Sequence, residues 1–175
     1  MSINFESHKL DRRSFLKGAA ALAAATAASG LLTACGGGKN DSGFTLKGDN
    51  YKVYFSDADC TYSTTNNIYN VQLDMQIERI TKAMNPLASS TSYKKAFSAK
   101  INDTPLKLAN EDDTVKKLSK GEKEHCTPRF TTDSKDLYDK ATSGAALMYL
   151  TIELNGDSTV FEINLKTNTI KYKVR

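Results

Sequence analysis

From Asn70 to Glu78 apolar and polar residues alternate without a break: Val71, Leu73, Met75 and Ile77 on one side, Gln72, Asp74, Gln76 and Glu78 on the other. A period of two predicts a half-buried strand. A helix also fits, because Leu73, Ile77, Ile80 and Met84 recur at four, three and four. The length of the alternation favours a strand to about Ile80, and Asn85-Pro86 ends either element. Tyr51 to Phe55 and Phe97 to Ile101 also read as strands, the second followed by a turn at Asn102–Pro105 and by Leu106–Leu108 pairing back across it. Lys120-Gly121-Glu122 is a further turn, leading to Cys126 and Phe130. Asp133 or Ser134 caps a short helix through Lys140. The C-terminal pattern predicts a meander: a strand over Leu147–Leu154, a hairpin turn at Asn155-Gly156, a strand over Thr159–Leu165, a turn at 166–168 and a last strand. In that last strand Ile170, Tyr172 and Val174 alternate with Lys171, Lys173 and Arg175, so the meander buries Phe161, Ile163, Leu165 and the Ile170–Val174 face. Short strands with punctuated turns predict a mainly all-β fold, an antiparallel sandwich, over residues 44–175.

The N-terminal pattern is different. Residues 1–17 are polar and carry Lys9, Arg12, Arg13 and Lys17; Gly18 to Leu31 is mildly apolar and mostly alanine. That run is too short and too mild for a membrane span, and small residues follow it as in removable export signals. Asp11-Arg12-Arg13-Ser14-Phe15-Leu16-Lys17 resembles a twin-arginine export signal, with Asp11 where many such signals have Ser or Thr. An ordinary basic flank of a general secretory signal is the competing reading of the arginine pair. Leu32-Thr33-Ala34-Cys35 resembles the lipobox of bacterial lipoproteins. The two resemblances imply that the twin-arginine translocase reads Arg12, Arg13, Phe15, Leu16 and Lys17, and that residues 1–34 are removed. They imply also that Cys35 carries diacylglycerol and anchors the chain to the cell membrane. That route carries proteins already folded in the cytoplasm. Residues 35–43, rich in glycine, are then a flexible tether.

Loss of residues 1–34 leaves 141 residues, one ordinary domain. It removes four basic and two acidic residues, leaving 20 and 18, a net of about +2. The lysines are scattered among acids with no basic stripe, so no nucleic-acid partner is expected. With Cys35 lipidated, Cys60 and Cys126 form an even pair outside the cytoplasm, which predicts a disulfide. It would close a loop of roughly 65 residues, worth about 4 kcal/mol in the chain-entropy model. The order Val71–Ile77, Asn85-Pro86, Phe97–Ile101, Leu118–Glu122, Phe130 resembles immunoglobulin-like domains of uncharacterised bacterial surface lipoproteins. The chain has no Trp, so the Cys…Trp…Cys signature of antibody domains is missing.

Candidate chemistry is sparse. His125 is the one histidine after the leader, flanked by Glu122, Glu124 and Cys126, and a lone histidine supplies too few ligands for a metal or haem. Asp57-Ala-Asp59 and Glu111-Asp-Asp113 lack the spaced loop of a calcium site and read as solvated turns. No nucleophile elbow, P-loop or dinucleotide fingerprint occurs. Tyr51, Tyr54, Tyr62, Tyr69 and Tyr93, with the Ser/Thr/Asn loop at 63–67, are candidates either for a binding face or for core cover. The sequence therefore predicts a lipid-anchored extracytoplasmic domain with no cofactor and no metal, binding a protein or envelope ligand without catalysis. An accessory subunit of an envelope transport or redox complex is the alternative, and an extracytoplasmic hydrolase the third reading.

Overall fold

In the computed structural model, which describes Leu32–Thr33, residues 43–81 and residues 90–173, strands dominate. They are Leu32–Thr33 (β1), Phe44–Thr45 (β2), Tyr51–Ser63 (β3), Ile68–Arg79 (β4), Thr91–Ser92 (β5), Phe97–Ile101 (β6), Thr104–Pro105 (β7) and Lys107–Leu108 (β8). Thr114–Val115 (β9), Lys123–Cys126 (β10), Arg129–Thr132 (β11), Met148–Leu154 (β12), Asp157–Asn164 (β13) and Thr169–Tyr172 (β14) follow, with short helices Tyr93–Ala96 (α1) and Lys135–Thr142 (α2). The alternating stretch is a strand, with Val71, Leu73, Met75 and Ile77 buried. Asn85-Pro86 lies outside the described residues.

Two antiparallel sheets share one core. Sheet A runs β1-β14-β13-β12-β6-β7; sheet B runs β2-β3-β4-β11-β8, with β10 also paired to β4. Phe97, Ile101, Met148, Leu150, Ile152, Phe161 and Ile163 of sheet A face Val53, Val71, Leu73, Met75 and Ile77 of sheet B. The protein is an antiparallel β-sandwich. The C-terminal meander forms as its pattern dictates: Asn155 (φ 49°) and Gly156 (φ 94°) both take the positive φ of a primed hairpin turn. Tyr172 departs from its predicted burial and is 39% exposed, its ring stacked on Phe161 and its hydroxyl donating to the Thr45 carbonyl. Of the predicted Leu106–Leu108 return across the turn, Lys107 and Leu108 do not pair with β6. Thr104–Pro105 does so, the Leu106 amide bonds the Ala99 carbonyl, and Lys107–Leu108 crosses to sheet B to pair with Thr131 and Phe130. Ser134 is the helix cap: its Oγ accepts from the Leu137 amide at 3.2 Å.

The predicted disulfide is absent; Cys60 and Cys126 are both free. The register explains why. Cys60 pairs with Val71 and Cys126 with Met75, on opposite sides of β4. Four residues along the strand and two strand spacings across it separate the two Cα atoms by about 16 Å, far beyond the roughly 7 Å a disulfide allows. Both thiols face the core. Burial, with Asp59 and Asp57 adding to it, pushes the Cys60 thiol up to about 11. Burial pushes Cys126 up to about 12, partly offset by its hydrogen bond to the Tyr93 hydroxyl. Each is a protonated core residue at neutral pH rather than a nucleophile.

One polar knot closes the sandwich beside the Asn155-Gly156 turn. Asp157 is 2% exposed and its carboxylate accepts from the Asn50 backbone N–H (2.8 Å) and from Asn50 Nδ2 (2.7 Å). Thr81 Oγ1 donates to Asn50 Oδ1, and Asn155 Nδ2 donates to the Tyr51 hydroxyl. Gly48 (φ +123°) runs so close that a Cβ there would lie 2.1 Å from Asp157 Oδ1. The knot pins residues 46–50 across one end of sheet A.

Candidate functional site

The outer face of sheet A carries an open trough of about 1020 Å³. Its floor is built by register. Lys100 pairs with Tyr149, Tyr149 with Glu162 and Glu162 with Lys171, so one row of outward side chains crosses β6, β12, β13 and β14. Lys171 bonds Glu162 at 2.6 Å. Lys173, just past β14, is held by its amide on the Val160 carbonyl and swings its ammonium back over Tyr149. The pinned segment Thr45–Asp49 makes one wall, and Thr151, Ser158 and Thr159 add hydroxyls.

Tyr149 is the centre of the site. The Lys173 Nζ lies 4.3 Å from its ring centroid and the Lys100 Nζ 5.8 Å, which caps the separation of the two ammonium groups at about 10 Å. At that distance in water the two charges repel by about 0.4 kcal/mol. Each exposed cation–π contact returns roughly 0.5–1 kcal/mol, so the ring holds both lysines in place. Lys100 has a second neighbour, Asp103, at 3.0 Å, whose side chain is almost fully exposed and binds weakly. Three lysines (Lys47, Lys100, Lys173) and one aspartate (Asp49) line the trough, giving it a net positive charge. Such a surface can attract and position an anion. Its one glutamate, Glu162 of the floor row, is paired with Lys171, and no histidine or cysteine lines it.

The residues singled out by sequence lie elsewhere. His125 sits on the outer face of sheet B, its Nε2 2.8 Å from Asp74 Oδ1, with both side chains well exposed. Asp57 accepts from the Ala58 amide and from Asn168 Nδ2, Glu111 pairs with Lys94, and Asp113 accepts from Asn110 Nδ2. Among the described residues no group of three or more His, Cys, Asp or Glu side chains converges to hold a metal. The tyrosines do not make one face. Tyr51, Tyr69 and Tyr93 are buried; Tyr54 lies on the outer face of sheet B, its hydroxyl on Glu78; Tyr62 is 46% exposed at the tip of the β3–β4 hairpin, stacked on Tyr69, which in turn packs on Tyr138 of α2. Arg12, Arg13, Phe15, Leu16, Lys17, Ala34 and Cys35 lie outside the described residues. The backbone of Leu32–Thr33 pairs with Ile170 and Thr169 at the edge of sheet A.

Lys100, Tyr149 and Lys173 escaped the sequence reading. The available signal was Tyr149 itself, an aromatic ring at an outward position of an alternating strand. Its partner on β6 is 49 positions away in sequence, and only the register brings the two together.

The features described define an antiparallel β-sandwich with an open cationic trough, set behind an N-terminal leader. Residues 9–29 match the family model of the TAT (twin-arginine translocation) pathway signal sequence, so the chain is exported from the cytoplasm through the twin-arginine translocase. The match covers the leader alone. None of the curated proteins matches the chain in sequence. Among the described residues no helix is long and apolar enough to cross a membrane.

Proposed function

We propose that the protein is an extracytoplasmic lipoprotein, tethered through Cys35, whose sandwich is a non-catalytic binding module. The immunoglobulin-like resemblance belongs to this proposal at the level of two packed antiparallel sheets, with the β12–β13–β14 meander confined to one of them. The observation that carries the binding role is the trough on sheet A, where Tyr149 holds Lys100 and Lys173 ready on a rigid floor. Sites built on strands keep their geometry better than sites on loops. The large apolar side chains exposed among the described residues are two tyrosines, Tyr62 and Tyr172, which favours polar recognition over apolar docking.

The test needs no knowledge of the ligand. Lysines are acylated on intact cells and on the purified protein, and their reactivities are compared by mass spectrometry. Lys100 and Lys173 are expected to be protected on cells, while Lys116 and Lys135, exposed by 78% and 70%, react equally in both samples. Equal reactivity of all four lysines sinks the binding reading. The same spectra report the anchor: a mature chain beginning at Cys35 with diacylglycerol supports it, and an unmodified start overturns it.

A further inference from the structure

We infer that the trough on sheet A takes an acidic glycan, a sugar polymer bearing carboxylate groups; the inference rests on the binding-module reading and names its ligand class. Charge is the first argument. Lys100 and Lys173 are held within about 10 Å of each other by one ring, and Lys47 adds a third cation on the wall; Asp49 lines the trough, Asp103 pairs weakly with Lys100 at its edge, and Glu162 in the floor row is neutralised by Lys171, so the cations remain in excess. Two ammonium groups held side by side are relieved by an anion bridging them, or by two anions spaced along a chain. Chemistry of the cations is the second. Each is a lysine, a compact hydrated point charge that tolerates varied anion geometry, not the planar fork of arginine that selects a bidentate partner. That suits a polymer sliding through several registers.

Shape and hydroxyls are the third. The trough is open along its length, whereas small-molecule sites enclose most of their ligand. Thr45, Thr151, Ser158 and Thr159 line it with groups able to bond sugar hydroxyls. A single-stranded nucleic acid is also a polyanion, but its binding relies on bases stacking on free aromatic faces. Here the face of Tyr149 is already covered by the Lys173 ammonium at 4.3 Å. The geometry therefore favours the glycan.

The experiment uses the exported, processed protein with three probes: polygalacturonate, which carries a carboxylate on every sugar, uncharged dextran, and oligothymidylate. Affinity electrophoresis is expected to show retardation by polygalacturonate alone, lost on adding salt. The double variant Lys100→Gln/Lys173→Gln is expected to weaken that binding at least tenfold with an unchanged melting temperature. Both side chains lie on the outer face and leave the core intact. Lys116→Gln/Lys135→Gln, which removes the same charge elsewhere, is expected to bind as the parent does. Failure of the parent to bind polygalacturonate, equal retardation by dextran, stronger binding of oligothymidylate, or undiminished binding by the first double variant each overturns the inference. If these fail while Lys100 and Lys173 remain protected on cells, the binding module stands and only its ligand class falls.

Discussion

Asp157 and the two cysteines are the residues whose burial makes the most specific predictions. Replacing Asp157 with Ala removes the acceptor from the half-buried Asn50 amide and from one of the two bonds of its Nδ2, and a hydrogen bond to a charged group of this kind contributes about 1.5–3 kcal/mol. Chemical denaturation of Asp157→Ala is expected to show that loss. Gly48→Ala is expected to destabilise through the same knot, since its Cβ meets the carboxylate. The thiols give a pH signature. Both folded values, about 11 for Cys60 and about 12 for Cys126, lie above the ordinary thiol value of 9.0. The stabilisation they carry is complete below about pH 9 and is lost as pH climbs through the folded values. Unfolding midpoints measured from pH 8 to about 11 should fall, and fall less in Cys126→Ala once its own lower baseline is subtracted. A thiol reagent is expected to find little reactivity at Cys126 in the native protein and two thiols, Cys60 and Cys126, per unfolded domain; a count of none would restore the disulfide.

At the scale of elements, local chemistry was legible and long-range partnership was not. The strand at 68–79 followed from strict alternation, the Asn155-Gly156 hairpin from two residues that tolerate positive φ, and α2 from Ser134 placed before an amphipathic turn. Each rests on residues adjacent in sequence. Ser134→Ala is expected to cost about 1 kcal/mol by loss of the cap, and Gly156→Val more than Gly156→Asn because a β-branched side chain resists φ near 94°. Thermal melts of the three variants check both. The crossing at Leu106 was missed because a short Leu-Lys-Leu segment pairs equally well with either sheet on local grounds. The Cys60–Cys126 pairing was misread for a related reason: an even count says nothing of the distance that β4 interposes. The candidate trough was illegible on the same grounds, since Lys100 and Lys173 meet Tyr149 only through strand register and the position of a residue just beyond β14.

At the scale of the whole molecule, the leader and the sandwich make separate contributions, and the export signal of the first was readable from its own residues. A receptor-read address is local by nature. Substituting Lys for both Arg12 and Arg13 is expected to retain the precursor in the cytoplasm, which fractionation and immunoblotting check; export undiminished would point to the general secretory route instead. The sandwich that follows is held by apolar packing between two sheets and by the Asp157 knot, with Cys60 and Cys126 as reduced core residues. Its stability is therefore independent of the redox state of the compartment it occupies. Folding can finish in a reducing cytoplasm, before transport begins, and no oxidant has to act once the domain arrives. A host lacking its thiol oxidases should accumulate the protein outside the cytoplasm at the usual yield and with the usual melting temperature.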